Sequence, residues 1–451
     1  MAPLTLLLAV EVTVRTHWIQ GGGETLKMPM EEYVAAVLGG EAAGMRSPES
    51  MKAMAVASRT YAARFRGRHS REGFDFCDTT HCQDYRRAGV TQAILDAADS
   101  TEGELLWYKG ALAAAYYSAN CGGMSEVSSE GPYLNQHRDI WCLRQPDVWR
   151  TVLSHEEVLA ALKAARYPVP AMFTQIAVVT RTPSNRATRL NVGGAEVDAG
   201  AFRNAVGRTL GWDKLPSGWF DVANRGGQFV FAGRGRGHGI GLCQTSCARM
   251  GEEGKTYREI LAFAYPGTVV GLTASGFAWR FAGGERVDVL TTQSERALVE
   301  RADRALREAE LRAGLRFDGR PRLRVYPTVA AFRDATGQPG TVAAIARGST
   351  IQAQPRVSEV TLRHEMLHVV LESNTRSTHP WWFREGLALA LNDERSADPR
   401  YAQAVKRVNE LIARNGRETV MRFWRDGLPA DSNPREVEQP PSQPKAQKST
   451  Q

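Results

Sequence analysis

The chain has 451 residues, 43% of them hydrophobic and 24% charged, with a formal net charge of +8. That length exceeds one ordinary core and calls for two or three domains, and the balance of apolar and charged residues is that of a soluble globular protein. The positive charge is spread over Arg-rich helices, which suits an anionic polymer surface, while no nucleic-acid module is recognisable and nucleic acid is not expected as a partner.

Met1 to Val10 is apolar but short, without a basic leader or a small-residue cleavage site, so a signal peptide is not evident. Glu11 to Arg15 alternates like a strand. No run is long enough to span a bilayer. The rest of the chain is organised around the stretch from Met28 to Ala63. Glu41 ends an apolar run (Tyr33 to Leu38) and sits in Gly39-Gly40-Glu41-Ala42-Ala43-Gly44, with no Lys or Arg within four residues. Small neighbours are expected to leave room for a ligand at the backbone. A carboxyl so placed loses solvation, its pKa rises, and it can serve as a general acid. Ser47-Pro48-Glu49 then starts a helix.

Met28-Pro29-Met30-Glu31-Glu32-Tyr33-Val34, Glu41 and Ala55-Val56-Ala57-Ser58-Arg59-Thr60-Tyr61-Ala62 together resemble the catalytic segment of the stage II sporulation protein D family, also called the amidase-enhancer family. Its members act on peptidoglycan glycan strands. The resemblance implies that Glu41 is the catalytic residue and that Arg59 serves the substrate.

His69, Cys77, His81 and Cys82 put two thiols and two imidazoles within fourteen residues, a pattern suited to tetrahedral zinc. On spacing alone, a disulfide or free thiols remain the alternative. The resemblance favours Cys77, His81 and Cys82 as ligands, with His69 as the further candidate, in a structural site beside the cleft.

Leu105 to Tyr108 and Ala114 to Ser118 read as strands paired around Lys109-Gly110. Ser118-Ala119-Asn120-Cys121-Gly122-Gly123 comes next and matches a family motif. Two glycines after a strand give a tight turn and a close backbone approach. Ser118, Gly122 and Gly123 are therefore expected to border a glycan groove. Cys121 and Cys142 flank a loop and could form a disulfide in an exported protein. Ser154 with Glu157 caps a helix, residues 173–197 read as strands, and Ala199 to Leu210 reads as a helix.

Gly233-Arg234-Gly235-Arg236-Gly237-His238-Gly239-Ile240-Gly241-Leu242-Cys243-Gln244 is the next motif. A glycine-rich loop alone is weak evidence for a ligand cradle. The resemblance implies that His238 lines the cleft, holding sugar hydroxyls or assisting Glu41, and that Gln244 also binds substrate. The family has Gly-Ala near Ser246-Cys247, so Cys247 is a departure. The resemblance spans about residues 10 to 275.

From Arg286 the pattern changes to short strands around an Arg/Glu-rich helix from Gln293 to Ala313. His364-Glu365-Met366-Leu367-His368 places two imidazoles four apart on one helix face, where both reach one metal ion. Glu365 is positioned to take a proton from zinc-bound water. Glu385, in Trp382-Phe383-Arg384-Glu385-Gly386-Leu387-Ala388, completes a two-His, one-Glu set with an open fourth position. This resembles the gluzincin-type metallopeptidases. No transition-state donor is identifiable, and neither His379 nor Tyr401 is assigned that role.

The expectation is a mixed α+β protein of the cell envelope. Residues 1–275 form a peptidoglycan-acting domain, 285–427 a smaller α+β zincin-like domain, and 428–451 a disordered tail. The expected reaction is lytic transglycosylation of glycan strands by Glu41, beside a zinc peptidase using Glu365. The alternative is a non-catalytic glycan-binding module that stimulates a cell-wall amidase, with a degenerate zinc domain as scaffold.

Overall fold

A computed structural model describes residues 11–17, 23–292 and 296–429. The fold is mixed α+β and divides between Ala278 and Trp279 into two compact units. The second unit begins before Arg286 because Arg280–Gly283 adds an antiparallel strand to its sheet. The expected tail lies outside the described residues from 430 onward, as does the apolar start at 1–10.

The first unit is built on two helices, Met30–Glu41 and Pro48–Phe65. The first comes after Pro29, whose fixed φ suits entry to a helix, and carries acidic Glu31 and Glu32 in its first turn. Tyr33 to Leu38 are all buried, so this helix is apolar around most of its circumference. Each fully buried Val or Leu side chain contributes about 1.5–3 kcal/mol. The second helix has Pro48 in its first turn and buries Met51, Met54, Ala55, Ser58 and Ala62, the positions its periodicity marks.

A three-stranded sheet, with Glu11–Arg15 between Thr25–Pro29 and Phe76–Cys77, adds Val12, Val14, Met28 and Phe76 to the core around these helices. Leu105–Tyr108 pairs with Ala111–Leu112 around Lys109-Gly110, both in left-handed conformation, and with Val269–Gly271. Tyr117–Ser118 was expected beside Leu105–Tyr108. It pairs instead in parallel with Leu242–Cys243. That pairing sets the two glycine-rich motifs next to each other.

Residues 148–234 form a second core within the same unit, centred on Leu153, Leu190, Phe202 and Phe231. Its helix His155–Ala164 has the Ser154/Glu157 capping box, and Asp198 caps Ala199–Leu210.

The second unit has a five-stranded sheet in the order Arg280–Gly283, Asp288–Thr291, Arg322–Val325, Thr350–Ala353, Ala344–Arg347. The three central strands are parallel and the two edges antiparallel. The Arg296–Ala313 and Glu359–Ser373 helices pack together through Leu298, Ala302, Leu306, Leu362 and Met366 in one core. Residues 293–295 of the expected helix lie outside the described residues.

Candidate functional site

Glu41 closes its helix, where the carbonyl ends disfavour negative charge. Its Oε1 accepts the backbone N–H of Asp84 at 2.9 Å, and its Oε2 accepts the side-chain amide of Gln244 at 2.8 Å. Burial is the largest influence on this carboxyl and raises its pKa above the ordinary value. The two hydrogen bonds pull the other way, the charge of Asp84 adds to the rise, and Arg86 opposes it. The Asp84 carboxylate is itself paired with Arg86 at 3.0 Å.

The glycines beside Glu41 have a different purpose from the one expected. A Cβ on Gly40 would stand 2.2 Å from the Asp84 carbonyl oxygen, and one on Gly39 2.3 Å from that of Arg86. The space is taken by the backbone of residues 84–90, not kept for a ligand. This close approach is what delivers the Asp84 N–H to Glu41.

Behind them runs a hydrogen-bonded chain that sequence reasoning missed. Tyr33 donates to Gln83 Oε1 at 3.0 Å, and Gln83 Nε2 donates to the Tyr117 hydroxyl at 2.7 Å. Burial and then the charge of Glu41 hold the Tyr117 phenol well above its usual range, so it stays protonated. The Gln83 signal was present in the run Cys82-Gln83-Asp84-Tyr85, but nothing in the spacing tied it to Glu41.

The Gly233–Gly241 loop runs along residues 116–122. Asn120 and Arg236 exchange backbone bonds at 3.0 and 2.7 Å. A Cβ on Gly241 would meet the Tyr116 carbonyl oxygen at 2.0 Å, so close packing and a φ of +71° both require glycine there. His238 is crowded by protein but keeps an exposed edge. Its Nδ1 accepts the Ile240 amide at 3.0 Å, and its ring also bonds the backbone of Tyr117. Burial, with Arg186 and Arg203, lowers its pKa to about 4, so it is neutral near pH 7. Among the described residues none of its hydrogen bonds reaches Glu41. Gln244 makes that contact instead.

Four of the expected substrate positions are enclosed. Arg59 is fully buried, with Nε and Nη2 on Glu31 at 2.8 and 2.6 Å and further bonds to the Ala98 and Glu104 carbonyls. It ties two helices together and has no face for a substrate. Gly122 and Gly123 are buried, their open sides filled by Trp219, Arg234 and Leu143. Ser118 is buried, and its Oγ has no hydrogen-bond partner among the described residues. These residues shape the turn without presenting it to a glycan.

His69, Cys77, His81 and Cys82 have their ligand atoms within 4.8 Å of one another. His81 Nδ1 lies 3.6 Å from Cys77 Sγ and 3.7 Å from Cys82 Sγ. Glu72 holds the Nδ1 of His69, the kind of outer carboxylate that orients a metal-binding imidazole. The donor set therefore fits zinc. Asp84, whose N–H holds Glu41, comes two residues after Cys82.

In the second unit, Ser358 caps the Glu359–Ser373 helix and Pro380 opens Trp381–Leu391. His364 Nε2 and His368 Nε2 are 3.2 Å apart, and Glu385 Oε2 is 3.8 and 3.5 Å from them. A tetrahedral ion with bonds of about 2.0–2.2 Å separates its ligands by about 3.4 Å, so this set fits zinc too. Glu394 meets His364 Nδ1 at 2.8 Å and thereby turns Nε2 toward the other two ligands. Glu365 is buried, its pKa raised by burial, and it bonds the backbone of Ala346 in the edge strand. His379 donates Nε2–H to the Trp424 carbonyl at 2.6 Å and stacks on its ring, a packing role. The Tyr401 hydroxyl is raised by burial and by Glu385, which places it in the field of the cluster.

Cys121 and Cys142 are free buried thiols, not the disulfide considered from sequence. Cys243 is packed with both. Cys247, the departure from the family pattern, bonds the Ser50 carbonyl and sits in a helix–helix contact, while Ser246 donates to Asp139.

Residues 20–108, which hold Glu41 and the His69/Cys77/His81/Cys82 cluster, match the family model of the stage II sporulation protein. The first unit carries a stage II sporulation protein domain. Residues 144–241, nearly coincident with the second core of that unit, match a domain of unknown function. The chain is 32% identical over 249 residues to an uncharacterized protein of Brachyspira hyodysenteriae, covering 53% of this chain and 66% of that one. It is 25% identical over 264 residues to stage II sporulation protein D of Bacillus subtilis, covering 54% and 74%. It is 26% identical over 280 residues to the amidase enhancer of Bacillus subtilis, covering 50% of this chain but only 38% of that protein. The first unit thus brings together Glu41 and Asp84 from within the matched residues and Gln244 from outside them. Among the described residues no helix is long and apolar enough to cross a membrane.

Proposed function

We propose that the first unit cleaves peptidoglycan glycan strands by lytic transglycosylation, with Glu41 as general acid and then base. The observation that carries this reading is one half-buried carboxyl with a raised pKa, held on both oxygens by Asp84 and Gln244. A hydrolytic glycosidase needs two working carboxylates. The neighbouring Asp84 carboxylate is engaged by Arg86. A lone acid suffices when the sugar's own hydroxyl closes an anhydro ring: Glu41 protonates the glycosidic oxygen, then takes the proton of that hydroxyl. The names of the two Bacillus relatives support a cell-wall role in the envelope. The test is mass spectrometry of purified sacculi digested by the full chain and by Glu41→Gln. Anhydro-sugar products that vanish in the variant support the reading. Reducing-end products would point to a second carboxylate and overturn it.

The second unit, on this reading, is a zinc peptidase acting on envelope peptides or proteins. His364, His368 and Glu385 would hold the ion, which supplies Lewis-acid polarisation and an acidified water. Glu365 is the residue placed to hold the proton taken up. A structural zinc ion on His69, Cys77, His81 and Cys82 would pin the loop that carries Asp84.

A second reading rests on the relative named amidase enhancer. In it, the first unit binds glycan without cutting and stimulates a separate cell-wall amidase. Sacculi left uncut by the chain alone, but digested faster when an amidase is added, would favour this reading.

A further inference from the structure

We propose that Cys121, Cys142 and Cys243 form a second zinc site in the first unit, distinct from the His69/Cys77/His81/Cys82 cluster. The three Sγ atoms lie within 4.8 Å of one another. Each thiol is within hydrogen-bonding reach of the other two. All three residues are buried, at 1%, 0% and 5% exposure, so the convergence is not a chance of surface side chains. A disulfide would use two sulfurs and strand the third, whereas a tetrahedral thiophilic ion uses all of them. The Asp139 carboxylate stands beside the cluster as an acceptor outside the three-sulfur set. Asp139 Oδ2 is 3.2 Å from Cys121 Sγ and is also held by Ser246 at 2.6 Å, while Oδ1 accepts the Trp141 and Cys142 amides.

Charge is provided for as well. Three thiolates exceed the charge of one divalent ion, and a buried excess of negative charge needs a cation. Arg186, which also pairs with the buried Glu126 at 3.9 Å, is the cation beside the cluster. It is buried, donates to the carbonyls of Cys121 and Met124 at 2.8 and 3.1 Å, and feels all three cysteines and Glu126. Binding zinc here releases one proton from each thiol.

The ligands come from three stretches: the Cys121-Gly122-Gly123 turn, the short helix Ile140–Leu143, and the strand Leu242–Cys243. Zinc would clamp them together. Cys243 is followed directly by Gln244, which donates to Glu41. Both donors to Glu41 therefore adjoin a thiol cluster, Asp84 after Cys82 and Gln244 after Cys243. The role is positional and does not depend on which reaction Glu41 performs.

The test uses the full chain with the other two candidate sites disabled by Cys77→Ser, Cys82→Ser, His364→Ala and His368→Ala. One equivalent of zinc should remain by elemental analysis. Cobalt in its place should give a thiolate-to-metal charge-transfer band in the near ultraviolet. Adding Cys243→Ser should abolish both. A folded four-fold variant, checked by circular dichroism, that holds no zinc and gives no such band overturns the proposal. Unmutated protein supplies an independent measurement. Cys121, Cys142 and Cys243 should become alkylated together once a chelator is added. A Cys121–Cys142 disulfide in the non-reduced peptide map, or alkylation indifferent to the chelator, overturns it.

Discussion

Two half-buried glutamates, Glu41 in the first unit and Glu385 in the second, are driven in opposite directions by their surroundings. Burial raises both. Around Glu41 the opposing influences are two hydrogen bonds and the weak pull of Arg86, and the carboxyl stays high. Around Glu385 the bonds and charges of His364 and His368 outweigh burial, and the carboxyl falls far below its usual range. The same side chain is thus prepared to hold a proton in one place and to stay ionised in the other. The difference lies in what each faces: amides in one case, imidazoles in the other.

The largest test of that contrast is Glu41→Gln. A positioned general acid contributes about 10²–10⁴-fold, so release of anhydro products should fall by that factor with zinc content unchanged. A loss of zinc alongside activity would mean the two centres are not separate in function. Next comes Arg59→Met. Removing one partner of a buried ion pair costs about 3–5 kcal/mol, and urea unfolding should register that loss. Unchanged stability with a raised KM for glycan would restore Arg59 as a substrate contact.

Glu394→Gln should weaken zinc binding in the second unit about 10–100-fold, measured by competition with a chelator, because His364 loses its orienting carboxylate. The smallest effect is expected from Gln244→Ala. The acid must be protonated, so the rate falls as pH rises through the raised pKa of Glu41. The Gln244 amide lowers that pKa, and its removal should move the falling limb upward by about one unit or less. A limb that moves to lower pH would contradict the assignment of Glu41 as the acid.

Local chemistry made much of this legible. The helix of His364 and His368 could be read because a spacing of four repeats every turn and puts both rings on one face. Glu41 could be picked out because an apolar run and a break in the helix announce a half-buried carboxyl. Arg59 was misread because burial of a charge is decided by a distant partner, Glu31, and no local pattern records it. Gly122 and Gly123 were misread for a related reason. A glycine announces a close approach but does not say whether a ligand or the protein itself approaches.

The order of residues alone thus determined the helices, their caps, the half-buried carboxyl at position 41 and the facing imidazoles at 364 and 368, since each arises from backbone geometry within a few turns. Only the folded chain decided which groups hold Glu41, why Gly39 and Gly40 must be bare, and that Cys243 joins Cys121 and Cys142 from more than a hundred residues away. Such contacts arise from packing between segments remote in the chain, where shape and burial, not periodicity, choose the neighbours.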